Sequence, residues 1–106
     1  MDQALIKQTS IALEDLLKIY AKNDPEAQSL FGALKPIIDD AKAGKIQSPM
    51  DWGDVPGGWF FMEGTLRKYR DLESAFSKFQ IEVTGGETPD VKAALQAIRA
   101  MRANKP

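Results

Sequence analysis

The chain has no cysteine and no histidine among its 106 residues. Without cysteine it can form neither a disulfide framework nor a thiolate nucleophile. Without histidine it lacks the usual general base near neutral pH and the commonest ligand of transition metals. The two absences exclude Ser-His-Asp triads, Cys-His pairs and zinc sites, and we expect neither a metal nor another cofactor.

Long hydrophobic runs are also missing from the sequence. No apolar stretch approaches the ~20 residues that a membrane-spanning helix needs. The first seven residues, MDQALIK, lack the basic region and the uninterrupted apolar stretch of a secretory signal peptide. We therefore expect a cytoplasmic protein that does not have a membrane as its partner.

The net charge is small and unevenly distributed. The whole chain carries a net charge of −1, with −4 on residues 1–66 and +3 on residues 67–106. Proteins that bind nucleic acid by charge usually neutralise ~6–10 phosphates. The balance therefore disfavours a nucleic-acid partner, and we interpret the basic cluster Arg67, Lys68 and Arg70 as a solvated face with ion pairs to neighbouring acids.

What the sequence does contain is amphipathic helical spacing. A chain of this length typically forms one domain, residues 1–106. Apolar residues recur every three or four positions, which predicts helices over residues 2–22, 25–43, 58–83 and 89–103. The predicted fold is an all-α antiparallel four-helix bundle with one long irregular loop over residues 45–58. The bundle could be a monomer or a homodimer.

Residues at the predicted helix ends support these boundaries. Asp24 before Pro25 is typical of an N-cap and the first helical position, and Gly44 is typical of a C-terminal stop. A second start signal, Thr88-Pro89, precedes the last predicted helix. Pro36 lies inside the second helix and predicts either a kink there or an end after Leu34.

Residues 52–62, WGDVPGGWFFM, are the most informative segment because they hold both tryptophans beside a glycine-rich loop. Four consecutive large residues, 59–62, cannot all face inward from a helix, since successive positions turn by about 100°. The surplus is either covered by the loop or presented to a partner. For the second alternative, the predicted partner-binding residues are Asp51, Trp52, Asp54, Trp59 and Glu63.

An enzymatic alternative uses carboxylates. Asp39, Asp40 and Glu63 could perform acid–base chemistry if the fold brought them together, although exposed acids are usually only solvated. Gly53, Gly57 and Gly58 do not form a phosphate-binding loop, because the Walker pattern is absent. Asp51 and Asp54 supply too few carboxylates for a calcium loop.

Three segments carry a resemblance to a known class of proteins. They are residues 10–20, SIALEDLLKIY; residues 23–30, NDPEAQSL; and residues 59–63, WFFME. In these, the chain resembles the small all-helical immunity proteins encoded beside bacterial contact-dependent or type VI secretion toxins, especially those that inhibit NAD-degrading effectors. The resemblance implies a non-catalytic cytoplasmic inhibitor whose protein partner is a cognate toxin and which occludes that toxin's active site.

Overall fold

The computed structural model describes residues 2–86, and those residues form helices without a β-strand. Four α-helices are present in this part of the chain: α1 (Gln3–Tyr20), α2 (Pro25–Lys42), α3 (Gly58–Met62) and α4 (Arg70–Val83). Two 3₁₀ turns flank α3, at Trp52–Asp54 and Leu66–Lys68. The all-α prediction is therefore confirmed, while the helix predicted over residues 89–103 lies outside the described residues.

The predicted ends of the first two helices agree with the structure to within two residues, and local side chains satisfy the free backbone groups at their starts. The Asp2 carboxylate accepts a hydrogen bond from the Leu5 amide at 3.1 Å and begins α1. Asp24 accepts from the amides of Glu26 and Ala27 and begins α2, with Pro25 as its first residue. Gly44, with a φ of 72°, follows the end of α2.

Helix α2 continues through Pro36 to Lys42, so the predicted alternative that it ends after Leu34 is wrong. Pro36 is exposed, which places its ring on the solvent side of the helix. The kink at this residue stays a prediction.

The third predicted helix, over residues 58–83, is wrong as a single element. The structure divides it into α3 and α4, with a turn and a 3₁₀ segment over residues 63–69. The interruption changes which residues face inward. Met62, which the continuous spacing places on the buried face, is 82% exposed, whereas Phe61 and Leu66 are buried.

Helix α1 packs against both α2 and α4. Gln3 at its start donates to the carbonyl of Ile46 after α2, and Tyr20 at its end donates to Asp71 at the start of α4. These contacts make α1 antiparallel to both neighbours. One core unites the described helices and the loop, and its largest fully buried apolar side chains are Phe79, Ile6, Leu13, Leu17, Leu30, Leu34, Ile38, Leu66, Leu72 and Val83.

None of the helices within residues 2–86 combines the length and the apolar character needed to cross a membrane.

Candidate partner-binding surface

Gly57 determines where α3 begins. Its φ of 113° lies in the region that side chains other than glycine rarely adopt. A Cβ at this position would overlap the Cδ1 atom of Leu30 and approach the ring of Phe76 to 3.3 Å. The backbone therefore enters α3 through a gap between two core side chains that only glycine can occupy.

The opposite end of α3 is held by Glu26 of the second helix. The Glu26 carboxylate accepts hydrogen bonds from both the amide and the hydroxyl of Thr65, the amide at 3.1 Å. Gly64 lies beneath this contact, where a Cβ would be 2.8 Å from the carbonyl oxygen of Phe60. The chain must turn sharply here, which is why α3 stops and a new segment begins.

Between these two fixed ends, the four large residues of α3 separate into an inner and an outer pair. Phe61 is 7% exposed and stacks on Phe76 with ring centroids 4.9 Å apart. Phe60 is half-buried, and its ring meets the Trp59 ring edge-on with the two centroids 5.2 Å apart. Trp59 is 57% exposed and Met62 is 82% exposed. The prediction that the four residues cannot all face inward is confirmed.

The loop before α3 is anchored to the body of the protein, but it does not cover this surface. Ile46 and Val55 are buried, and the amide of Met50 donates to the carbonyl of Val83 at 2.9 Å. The 3₁₀ turn between these anchors points outward, and Trp52 is 56% exposed. The loop therefore packs on the core without covering Trp59 and Met62, and the presentation of these side chains to a partner stays a prediction.

We call Trp52, Trp59 and Met62 the aromatic surface. The three predicted acids of this segment, Asp51, Asp54 and Glu63, are also exposed. Glu63 accepts a hydrogen bond from the Trp59 indole N–H at 2.9 Å, which orients the ring while its face stays accessible. The sequence holds no basic residue between Lys45 and Arg67, so the local charge is negative. All five predicted partner-binding residues therefore lie at the surface of one short segment.

A pair of stacked tyrosines joins the end of α1 to the residue before α4, and helical spacing was its only sign in the sequence. The rings of Tyr20 and Tyr69 stack at 4.1 Å. The Tyr69 hydroxyl donates to Asp24 at 2.8 Å, and this hydrogen bond lowers the pKa of the Asp24 carboxyl. The same bond raises the pKa of Tyr69. Lys68 of the basic cluster pairs with Asp24 at 3.7 Å, an acid at the start of α2 rather than a neighbour in the sequence.

A second buried carboxylate joins α1 to α2. Glu14 is almost fully buried. Its carboxylate oxygens lie 2.7 Å from the Nζ atom of Lys42, 3.7 Å from that of Lys18 and 4.0 Å from that of Lys35. The hydrogen bond from Lys42 is the main reason why the pKa of Glu14 is lowered. The pair of Glu14 with Lys18 has the i,i+4 spacing apparent in the sequence, whereas the two lysines of α2 arrive through packing.

The carboxylates of the enzymatic alternative lie in two places, Asp39 and Asp40 on α2 and Glu63 at the end of α3. Asp39 is exposed on α2 and pairs with Lys35 at 3.2 Å, while Glu63 bonds the Trp59 indole. Asp40 is exposed, and none of the three lines either cavity between α1 and α4. Within residues 2–86, no group of three potential ligand side chains is placed to hold a metal ion.

A scan against models of protein families gives no match to this chain, and searches of curated proteins and of solved structures give none either.

Proposed function

We propose that the protein is a non-catalytic binding protein, an immunity protein that inhibits a cognate bacterial toxin by occluding its active site. The observation that carries this proposal is the exposure of Trp52, Trp59 and Met62 along a segment that contacts α2 at both ends of α3, through Gly57 and Thr65. Tryptophan is enriched among the residues that dominate binding energy at protein interfaces. Fixing the backbone in advance lowers the entropy lost when a partner is bound.

The charge of the segment indicates the chemistry of the partner. Asp51, Asp54 and Glu63 are exposed beside the aromatic surface, without a basic residue in the same stretch of sequence. Complementary potentials raise association rates and select partners. The matching partner surface is an apolar cleft bordered by lysine or arginine, such as the active site of an enzyme that acts on a phosphorylated or otherwise anionic substrate.

The experiment compares two apolar residues that are exposed to the same extent but lie on different parts of the molecule. Trp59 on the aromatic surface and Ile19 on α1 are exposed to nearly the same extent, 57% and 58%. We expect Trp59→Ala to weaken binding of the toxin encoded by the neighbouring gene by at least about 2 kcal/mol, or roughly 30-fold in Kd. Ile19→Ala, the matched control, should leave the Kd within about twofold. Titration calorimetry measures both constants, and growth of cells that express the toxin reports protection.

Each outcome decides for or against the proposal. Loss of binding in the Trp59 variant alone, with the same helicity as the unmodified chain, supports it. Equal Kd values for the two variants, or a neighbouring product that the protein neither binds nor neutralises, contradict it.

Replacement of Asp51, Asp54 and Glu63 by their amides should slow association mainly at low salt, because exposed charges are screened over about 10 Å at 0.1 M ionic strength.

The remaining parts of the proposal concern the whole chain. The protein acts in the bacterial cytoplasm, where the catalytic domain of a delivered toxin would operate. In its complete fold, α1, α2 and α4 form an antiparallel four-helix bundle with a last helix over residues 89–103, and α2 is kinked at Pro36. Supporting this, α1 is already antiparallel to both of its described neighbours.

A further inference from the structure

A groove runs between α1 and α4, on a part of the molecule that the aromatic surface does not include. It consists of two cavities of about 300 and 460 Å³ that share Thr9 and Lys78 in their walls. Small and aliphatic side chains form most of its floor, among them Ala12, Leu16 and Ala75. Small residues of this kind allow another helix to approach closely.

The groove ends where the described chain ends. Gly85 and Gly86 line its wider cavity, together with Leu5 and Ile81. Both glycines have left-handed backbones, with φ values of 121° and 82°. Glycines with positive φ after a helix are typical of residues that end it, because they take the chain out of the helical path. The sequence that follows Gly86 therefore starts at one end of an open apolar groove.

We propose that this groove is the docking site for the chain's own C-terminal segment, residues 89–103. Its sequence places Val91, Leu95 and Ile98 at helical spacing, which gives one apolar stripe. A 15-residue helix would be about 22 Å long, and the 14 residues of α4 extend over about 21 Å. The segment therefore has the length needed to lie antiparallel to α4 along the whole groove.

The charges of the groove walls and of the C-terminal segment are complementary as well. The walls of the groove carry three acidic side chains, Asp2, Asp71 and Glu82, and one basic side chain, Lys78. Residues 87–106 carry four bases and two acids. In the antiparallel orientation the basic end of the segment, with Arg99 and Arg102, approaches Asp71. This docking is independent of the proposed toxin partner, because it concerns only the closure of the bundle.

Engineered disulfides test the docking in the full chain, and the absence of native cysteine makes the result unambiguous. Two cysteines can be bridged only when their Cα atoms lie within about 7 Å. Ala12→Cys in the groove should cross-link to Ile98→Cys, or to Leu95→Cys one turn away, within the same molecule. The control is Ala33→Cys, which is exposed on α2 outside both cavities. We expect the groove pairs to oxidise at least tenfold faster than the control pairs.

A second measurement avoids the cross-link. Alkylation of a single Ala12→Cys by a bulky maleimide should accelerate about tenfold when Leu95→Asp disrupts the apolar stripe. Gln96→Asp, beside it on the polar face, should leave the rate unchanged. Equal cross-linking of the groove and control pairs, predominant formation of covalent dimers, or an alkylation rate insensitive to Leu95→Asp would each overturn the proposal.

Discussion

Replacement of Gly57 by alanine is the most sensitive test of how the fold positions the aromatic surface. The backbone at this residue has a φ of 113°, and an added Cβ would overlap Leu30 while approaching Phe76 to 3.3 Å. Leu30 is fully buried and Phe76 nearly so, which leaves the Leu30 methyl group no free space into which it could move. The substitution therefore combines backbone strain with overpacking of the core.

Each of the two effects has a known magnitude. A non-glycine residue in a rarely populated backbone region costs on the order of 1–3 kcal/mol. Insertion of a methyl group into a packed core costs about 1–3 kcal/mol. We expect Gly57→Ala to lower the free energy of unfolding by roughly 2–5 kcal/mol, which corresponds to a decrease in Tm of at least ~8 °C for a domain of this size.

The neighbouring glycine is the matched control. Gly58 is the first residue of α3 and has open space around its Cα, so Gly58→Ala should be neutral or slightly stabilising. Urea denaturation and thermal unfolding, followed by circular dichroism, measure both variants. A Gly57→Ala protein as stable as the Gly58→Ala protein would refute the assignment of Gly57 as the residue that fixes the start of α3.

Further predictions concern the inner face of α3 and the dependence of stability on pH. Phe61→Ala should lower the free energy of unfolding by about 3–5 kcal/mol, because the ring is buried against Phe76. Met62→Ala should change it by less than about 0.5 kcal/mol, because that side chain is exposed. Equal losses of stability in urea denaturation would contradict this difference. The folded-state pKa of Asp24 lies below the ordinary value of 3.8. The contribution of this carboxylate to the free energy of unfolding is therefore complete above pH 3.8, and it is lost as the pH falls through the folded-state pKa. Asp24→Asn should therefore show a shallower loss of stability under acid than the unmodified chain, and parallel urea midpoints from pH 5 to pH 2 would disprove the role of this carboxylate.

The first two helices could be predicted because their determinants are local. Asp24 and Pro25 set the start of α2 through bonds to adjacent amides, and Gly44 follows its end. The buried face of α2 also follows from the spacing of its apolar residues, although both Ala33 and Leu34 fit that spacing. The structure buries Leu34 and exposes Ala33.

The division of the third helix depended on contacts between distant parts of the chain. Glu26 bonds Thr65 across 39 positions, and no local pattern around Thr65 indicates that acceptor. Gly64 was visible in the sequence, but the apolar spacing continued across it and favoured one helix. The break reverses the expected burial of Met62, and it is also what places that side chain on the aromatic surface.

The candidate site was more predictable in composition than in conformation. The surplus of large residues at positions 59–62 follows from helix geometry alone, so at least one of them was expected not to face inward. Which ones are exposed depends on the stacking of Phe61 on Phe76 and on the entry angle that Gly57 sets. The stack of Tyr20 on Tyr69 has no sequence signature, because the two rings meet only after α1 and α4 pack together.

Both tryptophans of the chain belong to the aromatic surface, which permits one direct measurement of the central claim. Labelling this protein alone with 5-fluorotryptophan gives two ¹⁹F signals, one from Trp52 and one from Trp59, that can be followed while unlabelled toxin is added. If the aromatic surface is the binding site, at least the Trp59 signal shifts at saturation and loses its sensitivity to exchange of H₂O for D₂O. A saturated complex in which both signals keep the positions and the solvent sensitivity of the free protein would contradict the account.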